Sequence, residues 1–388
     1  MNVGSYFLSY AFRPFFLLNG FFAVVAVGVW LAALHGIGAG LVPPAMLYWH
    51  GHEMLVGFGM AAVAGFVLTA VATWTGRPPV RGGLLALLVL AWLLGRAAML
   101  GAARLPYALV AVIDAVFPFL LGSLALREVV AAKNRRNYKI AGVILLLATL
   151  NLLYHLGALG IAPGMDRIAL YLLIHVLLLL VAVVAGRITP SFTANWLRAR
   201  GEKRLPSNRP VIDGIAVAAT AATGFAASLD LGAGVLGASA GVAAVAHAVR
   251  LSGWRGLATL AEPLVLVLHV AYLWLPLGYA LTALAAFGFG LPASAALHAL
   301  TVGAIANMIL AVSTRVALGH TGRPLTASRL VVAAYVLLNL AAFARVLGPL
   351  LPDRYLGLID LAGLGWVAAF LLFAIAYWPI LTGPRADA

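Results

Sequence analysis

The sequence predicts an all-α polytopic membrane protein with about twelve transmembrane helices, arranged as three pseudo-repeats of four. Composition gives the class, because 64% of the 388 residues are hydrophobic and 9% are charged, with a mean hydropathy of +1.05. A soluble domain could not cover its surface with so few polar side chains. The chain has no cysteine, which excludes disulfides, thiolate haem ligands and c-type haem attachment.

Apolar windows long enough to cross a bilayer predict the individual helices. The twelve predicted spans are 15–35, 53–74, 83–103, 106–126, 139–159, 168–189, 211–229, 232–250, 258–285, 293–314, 328–347 and 356–382. The most polar linkers follow the fourth and sixth spans. We interpret residues 1–388 as a single transmembrane domain.

Basic residues predict the orientation of these spans. With both termini on one side, 20 of the 25 Lys and Arg lie at the termini and in the even-numbered loops. The other five are Arg96, Arg104, Arg167, Arg345 and Arg354. Since basic loops stay inside, both termini are expected in the cytoplasm. The net charge of +14 then reflects topology and attraction to anionic membrane lipid, and no solvated basic domain is left for a nucleic acid.

A repeat of 123 residues relates three histidines. His52, His175 and His298 are separated by 123 residues each, and "TGRP" recurs at 75–78 and 321–324, twice that distance apart. The predicted repeats are approximately 1–123, 124–246 and 247–369. The histidines fall near the outer ends of spans two, six and ten. Three imidazoles at one depth indicate a metal or haem layer, although each could also cap a helix end.

His50 and His52 lie two residues apart in "YWHGHEMLVGFGM". Residues at this spacing differ by about 200° around an α-helix, so the two imidazoles would serve two separate sites. This holds if the helix already begins at Trp49.

Three segments resemble the NnrS family: "AFRPFFLL" at 11–18, "WHGHEMLVGFGMAAVAGFVLTAVATWTGRPP" at 49–79 and "GRITPSFTANWL" at 186–197. The resemblance covers essentially the whole chain. It implies a bacterial inner-membrane protein of twelve spans, associated with denitrification and nitric-oxide stress and containing haem and copper. One or two haem b groups are therefore expected, ligated from among His50, His52, His175 and His298.

A more distant likeness to the catalytic subunit of haem–copper oxidases and nitric oxide reductases rests on histidines in spans two, six and ten. Tyr171 and His175 stand in the reverse order of the oxidase His–Tyr pair, and span seven has no histidine. The oxidase copper site therefore cannot be carried over.

Further polar residues are candidates for the site. Glu53 and Tyr171 are candidate catalytic residues that could deliver protons, and Asp114 could belong to a proton path. Copper or another non-haem metal could be bound by His155 and His269, besides the four repeat-associated histidines. Arg96, Arg104 and Arg167 could pair with haem propionates, or could anchor the interface.

These observations predict a membrane haem protein that handles nitric oxide, with reduction to nitrous oxide near the periplasmic side favoured. An unidentified electron donor would then be required. Sequestration or sensing of nitric oxide needs the same haem and stays open. A transporter is the third alternative, although transporters usually carry twofold repeats and helices broken at the midplane.

Overall fold

The computed structural model of the protein describes residues 6–38 and 45–387. Among these residues, twelve helices are long and apolar enough to cross a membrane, which confirms the predicted fold class. They are α1 (Phe12–Leu34), α2 (Met46–Thr75), α3 (Gly82–Leu100), α4 (Tyr107–Ala131), α5 (Tyr138–Ala158), α6 (Met165–Arg198), α7 (Pro210–Ser228), α8 (Ala233–Ser252), α9 (Pro263–Ala286), α10 (Ala293–His320), α11 (Arg329–Leu350) and α12 (Pro352–Thr382).

Three helices exceed their apolar windows by the most residues. Helix α2 begins at Met46 rather than at residue 53, and α6 and α10 continue past 189 and 314 to Arg198 and His320. Hydropathy detects the apolar part of a helix, whereas backbone hydrogen bonding continues through its polar ends. Arg96 and Arg345, which are counted above on the outer side, lie inside α3 and α11, as the predicted spans 83–103 and 328–347 already place them.

The outward surfaces of the helices are apolar. Leu90, Val112, Leu340 and Leu364 each expose more than half of their side-chain surface. Such surfaces mark contact with lipid rather than water. The outward surface of the helices is therefore that of a multi-pass membrane protein.

The chain divides into two compact units. The first contains the described residues up to Leu173, Val316–Arg323 and the segment from Phe373. In it α1 packs on α2, and α4 packs on α2, α3 and α5. The second contains Ile174–Arg315 and Pro324–Leu372, and there α8 packs on α7 and α9, while α10 packs on α9 and α11.

Two of the described helices contain a π-helical segment. In α2 it covers Glu53–Gly59, directly after His52, and in α10 it covers Ala299–Ala306, directly after His298. Helix α6, which carries His175, is α-helical throughout. Spans two and ten thus share an irregularity at corresponding points, while the threefold repeat as a whole remains a prediction.

Candidate metal centre

Five buried polar side chains from four helices meet within the first unit. They are His52 and Glu53 of α2, Arg96 of α3, Asp114 of α4 and His155 of α5, and all but Arg96 are fully buried. We call these five residues and Asn151 the polar cluster. Buried charges are tolerated only when they are paired and hydrogen-bonded, so their contacts decide what the cluster can do.

Asp114 is the centre of the polar cluster. Its Oδ1 accepts from Arg96, which also donates to Oε1 of Glu53. Its Oδ2 accepts from Nδ2 of Asn151 at 2.8 Å and lies 2.9 Å from Nε2 of His155. One carboxylate thus joins helices α3, α4 and α5.

His52 faces an acceptor on each side of its ring. Nδ1 lies 2.9 Å from Oε1 of Glu53, and Nε2 lies 2.8 Å from Oδ1 of Asn151 and 3.2 Å from Oδ2 of Asp114. In this arrangement both ring nitrogens donate, so the ring is an imidazolium. Its charge and that of Arg96 then balance the two carboxylates.

His155 is neutral by the same reasoning. Its Nε2 donates to Asp114, and Nδ1 lies 3.2 Å from the hydroxyl of Tyr107, which can donate to it. The hydrogen bonds of the polar cluster are therefore formed within the cluster and with Tyr107, and the cluster carries no net charge. One atom is left over, because Oε2 of Glu53 is buried without a hydrogen-bond partner.

Two glycines let the charged groups approach. A Cβ on Gly57 would lie 2.5 Å from the ring of Phe22 and 2.9 Å from Nη1 of Arg96. A Cβ on Gly95 would lie 2.9 Å from Oδ1 of Asp114. Gly57 belongs to the π segment, and its carbonyl accepts from Nε1 of Trp92 at 3.0 Å. Local irregularities of this kind often occur at functional sites.

An apolar layer covers the polar cluster on one side. The ring of Tyr154 stacks on His52 at 4.6 Å between centroids, and Trp49, Met99 and Val110 are buried in the same layer. Exclusion of water strengthens the electrostatic contacts beneath it.

Three donor atoms of the polar cluster could hold a metal ion. His52, Asp114 and His155 each offer one ligand atom, and these atoms lie within 4.8 Å of one another. Two imidazoles and one carboxylate suit iron, zinc or copper. A metal ion would replace the protons between these atoms. Nδ1–H of His52 would still donate to Glu53, and Nδ1–H of His155 would donate to the hydroxyl of Tyr107. Such second partners are typical of histidines that bind metals.

A haem iron does not fit on His52 in this arrangement. A macrocycle needs an open face beside the ligating nitrogen, whereas Nε2 of His52 is covered by Asn151 and Asp114. His298 suits haem better, because Nδ1 donates to the carbonyl of Ser294 at 2.7 Å. This bond assigns the basic lone pair of the neutral ring to Nε2, the usual arrangement of a ligating histidine.

The remaining predicted residues lie elsewhere. His50 stacks on Trp30 at 4.5 Å, so it has different neighbours from His52, and the helix does include Trp49. His175 packs against Gly224. Tyr171 lies 5.7 Å below the guanidinium of Arg167, and Arg104 and Arg167 are exposed. Both terminal nitrogens of Arg96 pair with carboxylates of the protein, those of Glu53 and Asp114. The predicted contacts with haem propionates therefore remain a prediction for Arg104 and Arg167.

His269 stands apart in the second unit. Its Nε2 lies 2.8 Å from the hydroxyl of Thr193, which itself donates to the carbonyl of Thr189. Nε2 therefore carries the proton, and Nδ1 is buried without a hydrogen-bond partner. His269 is not part of the group of donor atoms formed by His52, Asp114 and His155, and its role as a metal ligand stays a prediction.

Sequence reasoning missed Asn151 and Tyr107 as parts of the site. Asn151 and His155 are four residues apart, which places them on one face of α5. Tyr107 and Asp114 are seven residues apart, which places them on one face of α4. These spacings show that each pair shares a helical face, but they do not show that the two faces pack against each other.

A sequence model of a protein family, described as NnrS protein, matches residues 6–385. The comparison with curated proteins finds no match.

Proposed function

The chain belongs to the NnrS family, and from this premise we propose that it binds a redox-active metal ion at His52, Asp114 and His155 and handles nitric oxide there. The observation that carries the proposal is the buried convergence of three donor atoms within 4.8 Å. Family membership supports a role in the nitric-oxide response. The three donor atoms supply a site at which a metal ion could bind nitric oxide. Reduction of nitric oxide to nitrous oxide is the activity we favour.

Charge balance indicates which ions suit the site. The metal-free polar cluster is neutral when His52 carries two protons, and metal binding displaces one of them. A monovalent ion would keep the cluster neutral, whereas a divalent ion would add one charge. Copper, which is stable as Cu⁺ and suits imidazole ligands, is therefore our first candidate, with iron second.

The bound metal would supply a coordination position for nitric oxide and a route for electrons. The chain's own groups would supply protons. Reduction of two nitric oxide molecules to one nitrous oxide and one water consumes two electrons and two protons. Oε2 of Glu53, which is buried without a hydrogen-bond partner, can take up a proton beside His52. The hydroxyl of Tyr107 can exchange one with Nδ1 of His155.

Haem b is the second part of the proposal. Its ligand would be chosen from among His50, His175 and His298, with His298 favoured by its bond to Ser294. A haem there would relay electrons from a donor that the sequence does not identify. The bacterial inner membrane, with cytoplasmic termini, is the expected location.

Elemental analysis tests the metal site. Chelator-washed wild-type protein should retain about one copper or iron per chain, in excess of any haem iron. Asp114→Asn and His155→Gln should each lose it. His247→Gln is the matched control, because His247 is also fully buried but lies in the second unit. Unchanged metal content in both variants, with correct elution on gel filtration, would refute the site.

Anaerobic gas analysis tests the activity. The reduced protein is given excess nitric oxide, and both gases are followed. Nitrous oxide produced over many turnovers supports reduction. Saturation at one nitric oxide per metal, without nitrous oxide, replaces reduction by sequestration or sensing.

A further inference from the structure

A cavity of about 700 Å³ opens among helices α6, α7 and α8 of the second unit. Its volume lies in the range of pockets that bind small molecules. It is lined by the end of α6, the segment after α6 and the start of α7. The distribution of basic loops predicts that this end of the helices faces the cytoplasm. Its lining includes "GRITPS" at 186–191, a part of the chain that the metal site does not use.

One face of α6 brings two arginines to this cavity. Arg187, Ser191, Ala194 and Arg198 all line it, and their spacings of four, three and four residues place them on one helical stripe. Arg187 and Arg198 are both exposed. Their guanidinium groups are thus available to a molecule inside the cavity.

A third arginine lines the cavity from α8 and is held in place. Arg250 is 7% exposed. Its Nε donates to Asp213 at 2.5 Å, and its Nη1 donates to the carbonyl of Ala182 at 2.6 Å and to the hydroxyl of Tyr272 at 2.9 Å. These bonds fix the guanidinium plane before any ligand arrives.

The backbone at Gly186 leaves room beside Arg250. A Cβ at this position would run into the guanidinium, with Nη2 the nearest atom. Glycine therefore allows Arg250 to reach the cavity from behind α6. The fixed guanidinium of Arg250 and the exposed ones of Arg187 and Arg198 give three positive charges, against the single carboxylate of Asp213, which is already paired.

We propose that this cavity binds an anion that carries a phosphate group. Guanidinium groups bind phosphate oxygens through paired hydrogen bonds, and a fixed one does so at little entropic cost. Asn208 and Ser191, which also line the cavity, can donate to the remaining oxygens. The phosphate could belong to an anionic lipid headgroup of the adjoining leaflet or to a soluble molecule, and the chemistry of recognition is the same.

The test measures binding of both sources to the full-length protein. Inorganic phosphate is titrated by calorimetry, and retention of phosphatidylglycerol against phosphatidylcholine is measured by native mass spectrometry. Arg187→Gln and Arg198→Gln should each weaken binding about fivefold, and the double variant more. Arg200→Gln is the control, since Arg200 stacks on Trp196 and is absent from the cavity lining.

The outcomes separate the sources. Phosphate binding without lipid selectivity identifies a soluble ligand, and phosphatidylglycerol selectivity without phosphate binding identifies a lipid. Equal binding of both probes by wild type and the Arg187/Arg198 double variant would overturn the proposal. Because both substituted residues are exposed, loss of folding is not expected, and metal content reports independently on the proposed function.

Discussion

Nε2 of His155 lies 2.9 Å from Oδ2 of Asp114, and this pair joins the helices α4 and α5 deep inside the first unit. The same oxygen lies 3.2 Å from Nε2 of His52. Two imidazoles therefore share one carboxylate oxygen, which is either a place for a proton or a place for a metal.

Asp114→Asn should destabilise the protein strongly. It removes one of the two carboxylates that pair with Arg96. The buried positive charges of Arg96 and His52 then face a single carboxylate, and breaking a buried ion pair typically costs about 3–5 kcal/mol. Thermal unfolding in detergent measures the loss. Asp353→Asn, at an exposed position, should leave the midpoint unchanged, and equal midpoints for both variants would contradict this account.

Gly57→Ala should also destabilise the protein, by about 1–3 kcal/mol, because the new Cβ has no room beside Phe22 and Arg96. Gly142→Ala is the matched control. Its Cβ would meet nothing within 4 Å, and alanine favours a helix by up to about 1 kcal/mol over glycine. The two substitutions should therefore shift the unfolding midpoint in opposite directions.

Glu53→Gln should separate proton delivery from metal binding. The amide can still accept from Nδ1 of His52 but cannot take up a proton, so metal content should stay near that of the wild type. Nitric oxide turnover should fall by about a hundredfold or more, the range typical of lost general acid catalysis. If turnover is unchanged while the metal is retained, Glu53 is not a proton donor.

His298→Ala should lower haem content, because its Nε2 is the favoured haem ligand. The pyridine haemochrome spectrum, scaled to protein, measures the change. His320→Ala is the control, since His320 contacts the rings of Tyr10 and Phe12. Full haem in the His298 variant would move the assignment to His50 or His175.

Reporter fusions should place the termini in the cytoplasm. Alkaline phosphatase, which is active only after export, should be inactive when fused after Thr382 and active when inserted at Arg104. The reverse pattern would invert the topology and would place the Arg187–Arg198 cavity outside.

The fold was more accessible from sequence than the site. A run of about twenty apolar residues needs little context to be identified as a span, so the spans near 210–228 and 233–252 agree closely with the structure. The contact between His52 and Asp114 depends instead on which helices pack together. Sequence reasoning found both residues, but it assigned His52 to a metal or haem layer and Asp114 to a proton path, without bringing the two together. Nothing local in α2 indicates that Asn151 covers Nε2 of His52.

The π segment Glu53–Gly59 has a genetic consequence. A π turn holds about one more residue than an α turn, so it is equivalent to one inserted codon within an otherwise regular helix. Deleting one residue there would restore α-helical geometry and leave His52 in phase with Met60 and the residues beyond it, because a π turn and an α turn each complete one rotation. Deleting a residue from the regular part of α2 after Met60 would instead turn every later side chain by about 100° relative to His52. Alignments of related chains should accordingly allow a one-residue gap in this segment and none in the regular helix that follows it.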